Sequence, residues 1–425
     1  MASSAGSRLA GRVAFTYPSY VLYLAARFFI VLATEMQSVA VGWQVYEITK
    51  NTLDLGLVGL FQFLPGILLF LVAGYTADRF ERRRVLTLGY AGFAICSGLL
   101  LAISLSQTHS VRLIYGVVVL VGVVRAFNAP ASRAILPLLV PEEHFRSAFA
   151  WVQTAFEGAT ILGPAAGGLI YGIFRTPSPV YATAMIAAAL AAVSMVGVIP
   201  KFRPRAREPF SGRAVLAGLR YIWREKMVLG SISLDMFAVL LGGAVYLLPA
   251  FASDILHTGP LGLGLLRCSP AIGAAVTALL LAHRPLGRNS GAKMLWCVAG
   301  FGAATILFGI SRSMVLSMIA LILVGATDMV SVVVRGILIQ LFTPNDMRGR
   351  VNAVDMIFIG TSNELGGFES GTTARILGTV PAVVIGGIGA IVVTAACALL
   401  FPELRKLDEL PSGENTREIA SPVST

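Results

Sequence analysis

The chain has 425 residues, 56% of them hydrophobic and only 13% charged, with a mean hydropathy of +0.79. A soluble domain averages roughly 45–50% apolar and about 25% charged, so this composition excludes an ordinary water-soluble globule and specifies an integral membrane protein. The formal net charge of +11 reads as topology rather than nucleic-acid binding, because the basic residues lie in loops between apolar runs.

A spanning helix needs about 20 mostly apolar residues. Twelve segments meet that rule: 20–46, 55–77, 84–106, 111–138, 145–173 and 179–199, then 228–252, 261–282, 292–311, 315–341, 351–373 and 380–401. Met1 to Pro18 has no apolar core, so the first span itself is expected to direct insertion. Loops after even-numbered spans carry the arginine cluster at Arg79 to Arg84, then Arg146, Lys201 to Lys226, Arg284, Arg288, Lys293, Arg348 and Arg350. Loops after odd-numbered spans hold little beyond Lys50, Arg112, Arg175, Arg312 and Arg375. Both termini are therefore expected in the cytoplasm.

The expected fold is all-α: a six-helix bundle over 1–199, a basic linker over 200–227, a second six-helix bundle over 228–401 and a cytoplasmic tail over 402–425. Within the linker Val215, Leu216, Leu219, Ile222 and Trp223 recur at helical spacing among Arg213, Arg220 and Arg224, which predicts a basic amphipathic helix on the inner leaflet. The halves look related. Leu120-Val121-Gly122 matches Leu323-Val324-Gly325, Pro141 matches Pro344, and Leu162-Gly163 matches Leu365-Gly366, all at one offset. Two parallel repeats of this kind are a known plan for membrane transporters.

Ionisable side chains within spans are costly and by default face the bundle interior or a wet cavity. The first span carries Arg27 and Glu35, the fourth Arg125, the fifth Glu157 and the seventh Asp235. The tenth carries Asp328 and Arg335, and the eleventh Asp355, Asn363, Glu364 and Glu369. Ion pairs that lock helices together would explain any one of them; the set is better explained by a polar cavity. Glu35 and Arg125 both fall near mid-helix, where a carboxylate beside an arginine can load and release a proton if access alternates. In the fifth span Gly158, Gly163, Pro164, Gly167 and Gly168 form a Gly-rich stretch in which Gly163 and Gly167 give a GxxxG packing face and Pro164 a bend.

The turn between the second and third spans reads GYTADRFERRRVL over Gly74 to Leu86. Gly74, Asp78, Arg79, Arg82 and Arg83 resemble the G-x-x-x-D-R-x-x-R-R/K motif of the major facilitator superfamily, with Glu81 where a glycine is usual. The stretch from Gly158 to Gly168 resembles that superfamily's antiporter signature, G-x-x-x-x-G-P-x-x-G-G, at every fixed position. Arg125 resembles the fourth-helix arginine of proton-coupled members. The eleventh span, with Asn363, Glu364 and Glu369, resembles the branch containing the bacterial enterobactin exporter, whose members expel siderophores, macrolides or drugs. The resemblance implies twelve helices in two pseudo-symmetric bundles in the bacterial inner membrane. It implies a monomeric proton-coupled antiporter that exports a siderophore or amphipathic drug-like molecule. It also implies an inner gate in which Asp78 meets Arg133 and the start of the eleventh helix.

The expected partners are a small-molecule substrate, protons and the lipid bilayer, with no nucleic acid. No cofactor is expected: the sequence has no phosphate-binding GxxxxGK[ST], no GxSxG nucleophile turn and no metal-ligand spacing. Cys96, Cys268, Cys297 and Cys397 read as buried hydrophobes. An enzyme is therefore not expected. Movement of a lipid or lysophospholipid on the same fold, and a non-transporting receptor or scaffold, are the alternatives.

Overall fold

A computed structural model describes residues 13–106, 110–202, 212–283, 289–344, 347–405 and 407, and within these it leaves out the side chains of residues 71, 77, 78, 133 and 212–214. Helices dominate, and no strand occurs among the described residues. In chain order they are α1 (Pro18–Thr49), α2 (Thr52–Leu68), α3 (Phe70–Arg79), α4 (Arg82–Leu105), α5 (Val111–Ile135), α6 (Phe145–Phe174) and α7 (Ser178–Val196). Then come α8 (Gly212–Arg224), α9 (Lys226–Gly242), α10 (Gly259–His283), α11 (Ser290–Ile310), α12 (Met314–Phe342), α13 (Arg348–Leu377) and α14 (Thr379–Leu400).

Every segment expected to span is helical, and among the described residues nine helices are long and apolar enough to cross a membrane. The other three segments are the second, fifth and eleventh. The second is broken at Leu69, four residues after Pro65, whose ring removes a backbone donor. The fifth, α6, is full-length but Gly-rich, and the eleventh, α13, is full-length but polar. The seventh segment also breaks. Helix α9 stops at Gly242-Gly243, and the span is completed to Ile255 by a 3-10 turn over Ala244–Leu247, a short α turn and a π turn over Phe251–Ile255. Large apolar side chains such as Leu88, Trp296, Ile376 and Leu399 stand mostly exposed, as suits a protein whose solvent is acyl chain. Between α13 and α14 the chain turns at Gly378, whose φ of 94° needs a residue without a Cβ.

By contact the chain forms two compact units. One comprises Met1–Phe210 with Leu248–Cys268, the other Ser211–Leu247 with Ser269–Thr425. The division thus differs from the sequence halves by the Leu248–Cys268 segment. In the first unit α1 packs on α6 and α7, α4 on α5 and α7, and α2 on α5. In the second, α9 packs on α13 and α14, and α11 on α12 and α14. These are the same pairings one repeat apart.

Glycines fix the corresponding contacts, because helices in lipid associate through close backbone approach. A Cβ at Gly122 on α5 would overlap the Gln62 carbonyl of α2, and one at Gly325 on α12 would overlap the Pro270 carbonyl of α10. A Cβ at Gly163 on α6 would lie 3.2 Å from the Leu32 carbonyl oxygen, and one at Gly366 on α13 would lie 2.7 Å from that of Leu240. A Cβ at Gly92 would meet Val124, and one at Gly300 would meet Thr327. Gly122 with Gly325 and Gly163 with Gly366, aligned by the sequence repeat, thus do the same packing work in both units.

The linker forms its amphipathic helix, α8. Ile222 is buried against Val228, Ile339, Val351 and Val354, with Val215 and Leu219 packed on that cluster. Tyr221 donates to the Phe342 carbonyl, and a Cβ at Gly218 would lie 2.7 Å from the Arg350 carbonyl oxygen. Leu216 and Trp223 are exposed with Arg220 and Arg224.

Candidate functional site

The most concentrated charge lies in the second unit. Asp328 and Arg335 stand seven residues apart on α12 and so share one helix face. Helix α9 brings Asp235 to that face and α13 brings Asp355. Arg335 donates through Nη1 to Asp235 Oδ2, and its Nε is 3.6 Å from Asp355 Oδ1. Asp328 lies close enough to feel the charges of both Asp235 and Arg335. Relative exposures are 5% for Asp235, 4% for Arg335 and 9% for Asp355.

Three carboxyl groups therefore stand about one guanidinium, two of them buried with it and Asp328 half-buried. One cation cannot neutralise three anions there, and an uncompensated buried charge is strongly unfavourable. A proton on one of the carboxyls relieves the imbalance. Ser331, between Asp328 and Arg335 on α12, is buried beside Asp235; Asp355 Oδ1, 3.6 Å from Arg335 Nε, is buried without a hydrogen bond among the described residues. The cluster is thus incompletely satisfied, as suits groups that change protonation.

The first unit holds a second charged site. The Nε of Arg267 on α10 lies 4.0 Å from Glu35 Oε2 on α1, and its Nη2 donates to Ser38 at 2.7 Å. Beside Ser38 is a cavity of about 30 Å³ whose polar lining comes from Thr34, Gln37, Ser38 and Gln62. A site of that size and polarity suits a water molecule. Arg125 is exposed on α5 and has an interaction partner of its own. The ion pair resolved for Glu35 is therefore with Arg267, which the sequence reading did not single out. Its signal was available: a lone arginine in an apolar span is a site candidate by the same rule that picked out Glu35.

The Gly-rich stretch of α6 explains how Arg267 gets there. Gly163 lies against Glu35 and Leu32, and a Cβ at Gly167 would lie 3.0 Å from the Met36 backbone. A Cβ at Gly168 would lie 2.7 Å from the Gly264 Cα, and one at Gly264 would sit 2.5 Å from the Pro164 carbonyl oxygen. Helices α1, α6 and α10 so share one glycine seam, which seats Arg267 one turn beyond Gly264. Gly158 meets nothing within 4 Å and lies outside the seam. At one end of this packing Tyr46 donates to Asp254 Oδ2, Lys50 reaches Ser253 at 3.2 Å and Tyr171 donates to Glu47 at 3.1 Å.

The remaining expected residues are dispersed. Arg27 lies 5.4 Å from the Phe156 ring centroid, and Glu157 is half-buried beside Phe156 on α6. On α13 Glu364 accepts from Tyr246, and Thr373 donates to Glu369 at 2.8 Å. Asn363 is exposed and donates to its own helix at Ile359. Gly74 is buried on α3. In the arginine turn Arg82 donates to the Ala134 carbonyl and Arg83 to that of Val198, each at 3.3 Å. Cations at the C-terminal ends of α5 and α7 suit both free carbonyls and helix dipole. Glu81 pairs with Arg83 at 3.2 Å and Arg84 at 2.8 Å, so it does more than replace a glycine. Arg79 is exposed and donates to Tyr75 one turn away. The side chains of Asp78 and Arg133, the expected inner-gate pair, lie outside the described residues.

Residues 23–368 match a family model described as Major Facilitator Superfamily. The chain is 27% identical over 406 residues to "Enterobactin exporter EntS" of Shigella boydii serotype 4 (strain Sb227), covering 93% of this chain and 95% of that protein. The Citrobacter koseri protein of the same name gives the same values. Among solved structures, a bacterial homolog of the human lysosomal transporter Spinster aligns with a TM-score of 0.67 at 13% identity, over 92% of this chain and 98% of that one. A POT family transporter in complex with 5-aminolevulinic acid aligns with a TM-score of 0.70 at 13% identity, over 91% and 96%. At that identity the structures speak for the fold.

Proposed function

Because the chain belongs to the Major Facilitator Superfamily and is a transporter rather than an enzyme, we propose that it is a proton-driven exporter of the bacterial inner membrane. Its cargo in this reading is a siderophore or an amphipathic drug-like molecule, and its likeness to enterobactin exporters over nearly the whole chain supports the outward direction. Export against protons requires a group that carries charge in one half-cycle and is neutral in the other. The observation that carries the proposal is the buried Arg335, paired with the buried Asp235 and Asp355 and with the half-buried Asp328 close enough to feel its charge.

In this mechanism a proton taken from the acidic outer side neutralises one carboxyl, and release to the cytoplasm restores the charge. Glu35 and Arg267 form a second polar point, where making or breaking the pair accompanies alternating access. The arginine turn holds α4 to the ends of α5 and α7 on the cytoplasmic side, with both termini on that side.

The test is transport in proteoliposomes over a panel of siderophores, including enterobactin, together with amphipathic dyes and a lysophospholipid, with and without an imposed pH gradient. The proposal expects gradient-driven movement of a siderophore or dye, lost in Asp328→Asn. Movement indifferent to the gradient, or restricted to lysophospholipid, would overturn it.

A further inference from the structure

The first unit contains a cation that the proton mechanism does not use. Arg27 lies on α1 nine residues in from Pro18, roughly 14 Å along the helix axis at 1.5 Å per residue. Its guanidinium sits over Phe156 of α6, 5.4 Å from the ring centroid. Two phenols back it: Tyr23, one turn earlier on α1, and Tyr90 of α4 are both close enough to feel its charge. Tyr23 is spoken for, since it donates to the Ser132 carbonyl at 3.0 Å. Tyr90 is 2% exposed, and its hydroxyl lies beside Arg27 and Ser132. Beside it, the Asn128 side chain lies directly over Gly89, and its Oδ1 is buried without a hydrogen-bond partner among the described residues.

Among the described residues no carboxylate is paired with Arg27. Glu157 follows Phe156 on the same helix but forms no ion pair with it. This differs from the other buried arginines: Arg335 has Asp235 and Asp355, and Arg267 has Glu35. A half-buried guanidinium at membrane depth without a counter-ion is costly, and such groups mark substrate sites. The aromatic face and the neutral Tyr90 hydroxyl offset only part of that cost. A negatively charged ligand group would offset the rest. A planar ring on that ligand could stack beside Phe156, because the guanidinium plane and the phenyl face both favour flat partners.

We propose that Arg27 and Phe156 form the recognition point for an anionic aromatic substrate, with Arg27 binding the negative group and Phe156 the ring. This rests on the exporter reading and narrows its cargo to one chemical class. Tyr90, held beside Arg27 and Ser132, positions the guanidinium for that anion.

Two dyes with one xanthene skeleton and opposite charge provide the probe: anionic fluorescein and cationic rhodamine 6G. Equilibrium binding to the full chain in nanodiscs, read by anisotropy without any pH gradient, separates recognition from coupling. The wild type is expected to bind fluorescein more tightly than rhodamine 6G. Arg27→Gln should weaken fluorescein at least about tenfold, the loss of one charge-assisted contact, and leave rhodamine unchanged. Arg27→Lys, which keeps the charge but loses the fork, should fall between, and it decides the matter if Arg27→Gln does not fold. Phe156→Leu should weaken both dyes. Fluorescein binding unchanged in the arginine variants, or a wild type that binds rhodamine at least as tightly or neither dye, would overturn the proposal. A protein that binds fluorescein through Arg27 yet moves it without regard to a pH gradient would instead sink the proton-driven reading alone.

Discussion

Replacing Arg335 by methionine, which keeps an unbranched apolar stem but removes the charge, tests the second-unit cluster most sharply for stability. Arg335 serves Asp235 and Asp355 at once, and all three are at least nine-tenths buried. In Arg335→Met both carboxyls lose their cation, and breaking a buried pair from one side costs about 3–5 kcal/mol. Asp235→Asn is milder: Arg335 keeps Asp355 at 3.6 Å and nearby Asp328, so the loss should be about 1–3 kcal/mol, the range for one buried polar partner. The double variant carries one uncompensated carboxyl fewer than Arg335→Met, so it should be the more stable of the two. Apparent melting temperatures in one detergent should therefore rank wild type, Asp235→Asn, the double variant, then Arg335→Met. Arg335→Met melting with the wild type, or the double variant melting below Arg335→Met, would refute the charge-balance reasoning.

Glycine substitutions should divide by position. Gly122→Ala and Gly325→Ala drive a Cβ into backbone carbonyls and should each lower stability by about 1–3 kcal/mol, as overpacking does, whereas Gly158→Ala meets open space and should leave the melting temperature unchanged or higher. Arg267→Ala leaves Glu35 unpaired; its transport rate should fall well below wild type, and Glu35→Gln in the same background should recover part of it, both read in the proteoliposome assay. Arg83→Ala removes the tie to the Val198 carbonyl and should cost about 1 kcal/mol, seen as a small drop in melting temperature.

Much of the fold was legible because lipid allows so few solutions. With no water to satisfy the backbone, an apolar run of spanning length must be helical, and every expected segment is. The breaks were harder to read. Pro65 and Gly242-Gly243 lie inside runs whose hydropathy continues unchanged, so composition carried the span straight through them. The repeat was visible as spaced glycines, and their packing against equivalent helices gives its physical reason.

The site was legible only as an inventory. Asp235, Asp328, Arg335 and Asp355 could each be picked out as an expensive charge. That they meet about one guanidinium depends on the facing of α9, α12 and α13, which spacing within a single helix does not encode. Arg125 and Glu35 looked like partners because both fall at mid-helix, yet depth along a helix says nothing of azimuth. Azimuth puts Arg267 beside Glu35, through a seam between α6 and α10 that only Gly168 and Gly264 together define.

The central claim, that gathering three carboxyls around one arginine couples cargo to protons, is tested most directly by proton flux. Proteoliposomes loaded with a pH-sensitive dye would be given a transported siderophore or dye, and internal pH followed on its addition. The wild type should move protons opposite to cargo, while Asp328→Asn should bind the cargo but move neither. Cargo movement without any pH change in the wild type, or coupled movement that persists in both Asp328→Asn and Asp235→Asn, would contradict the account.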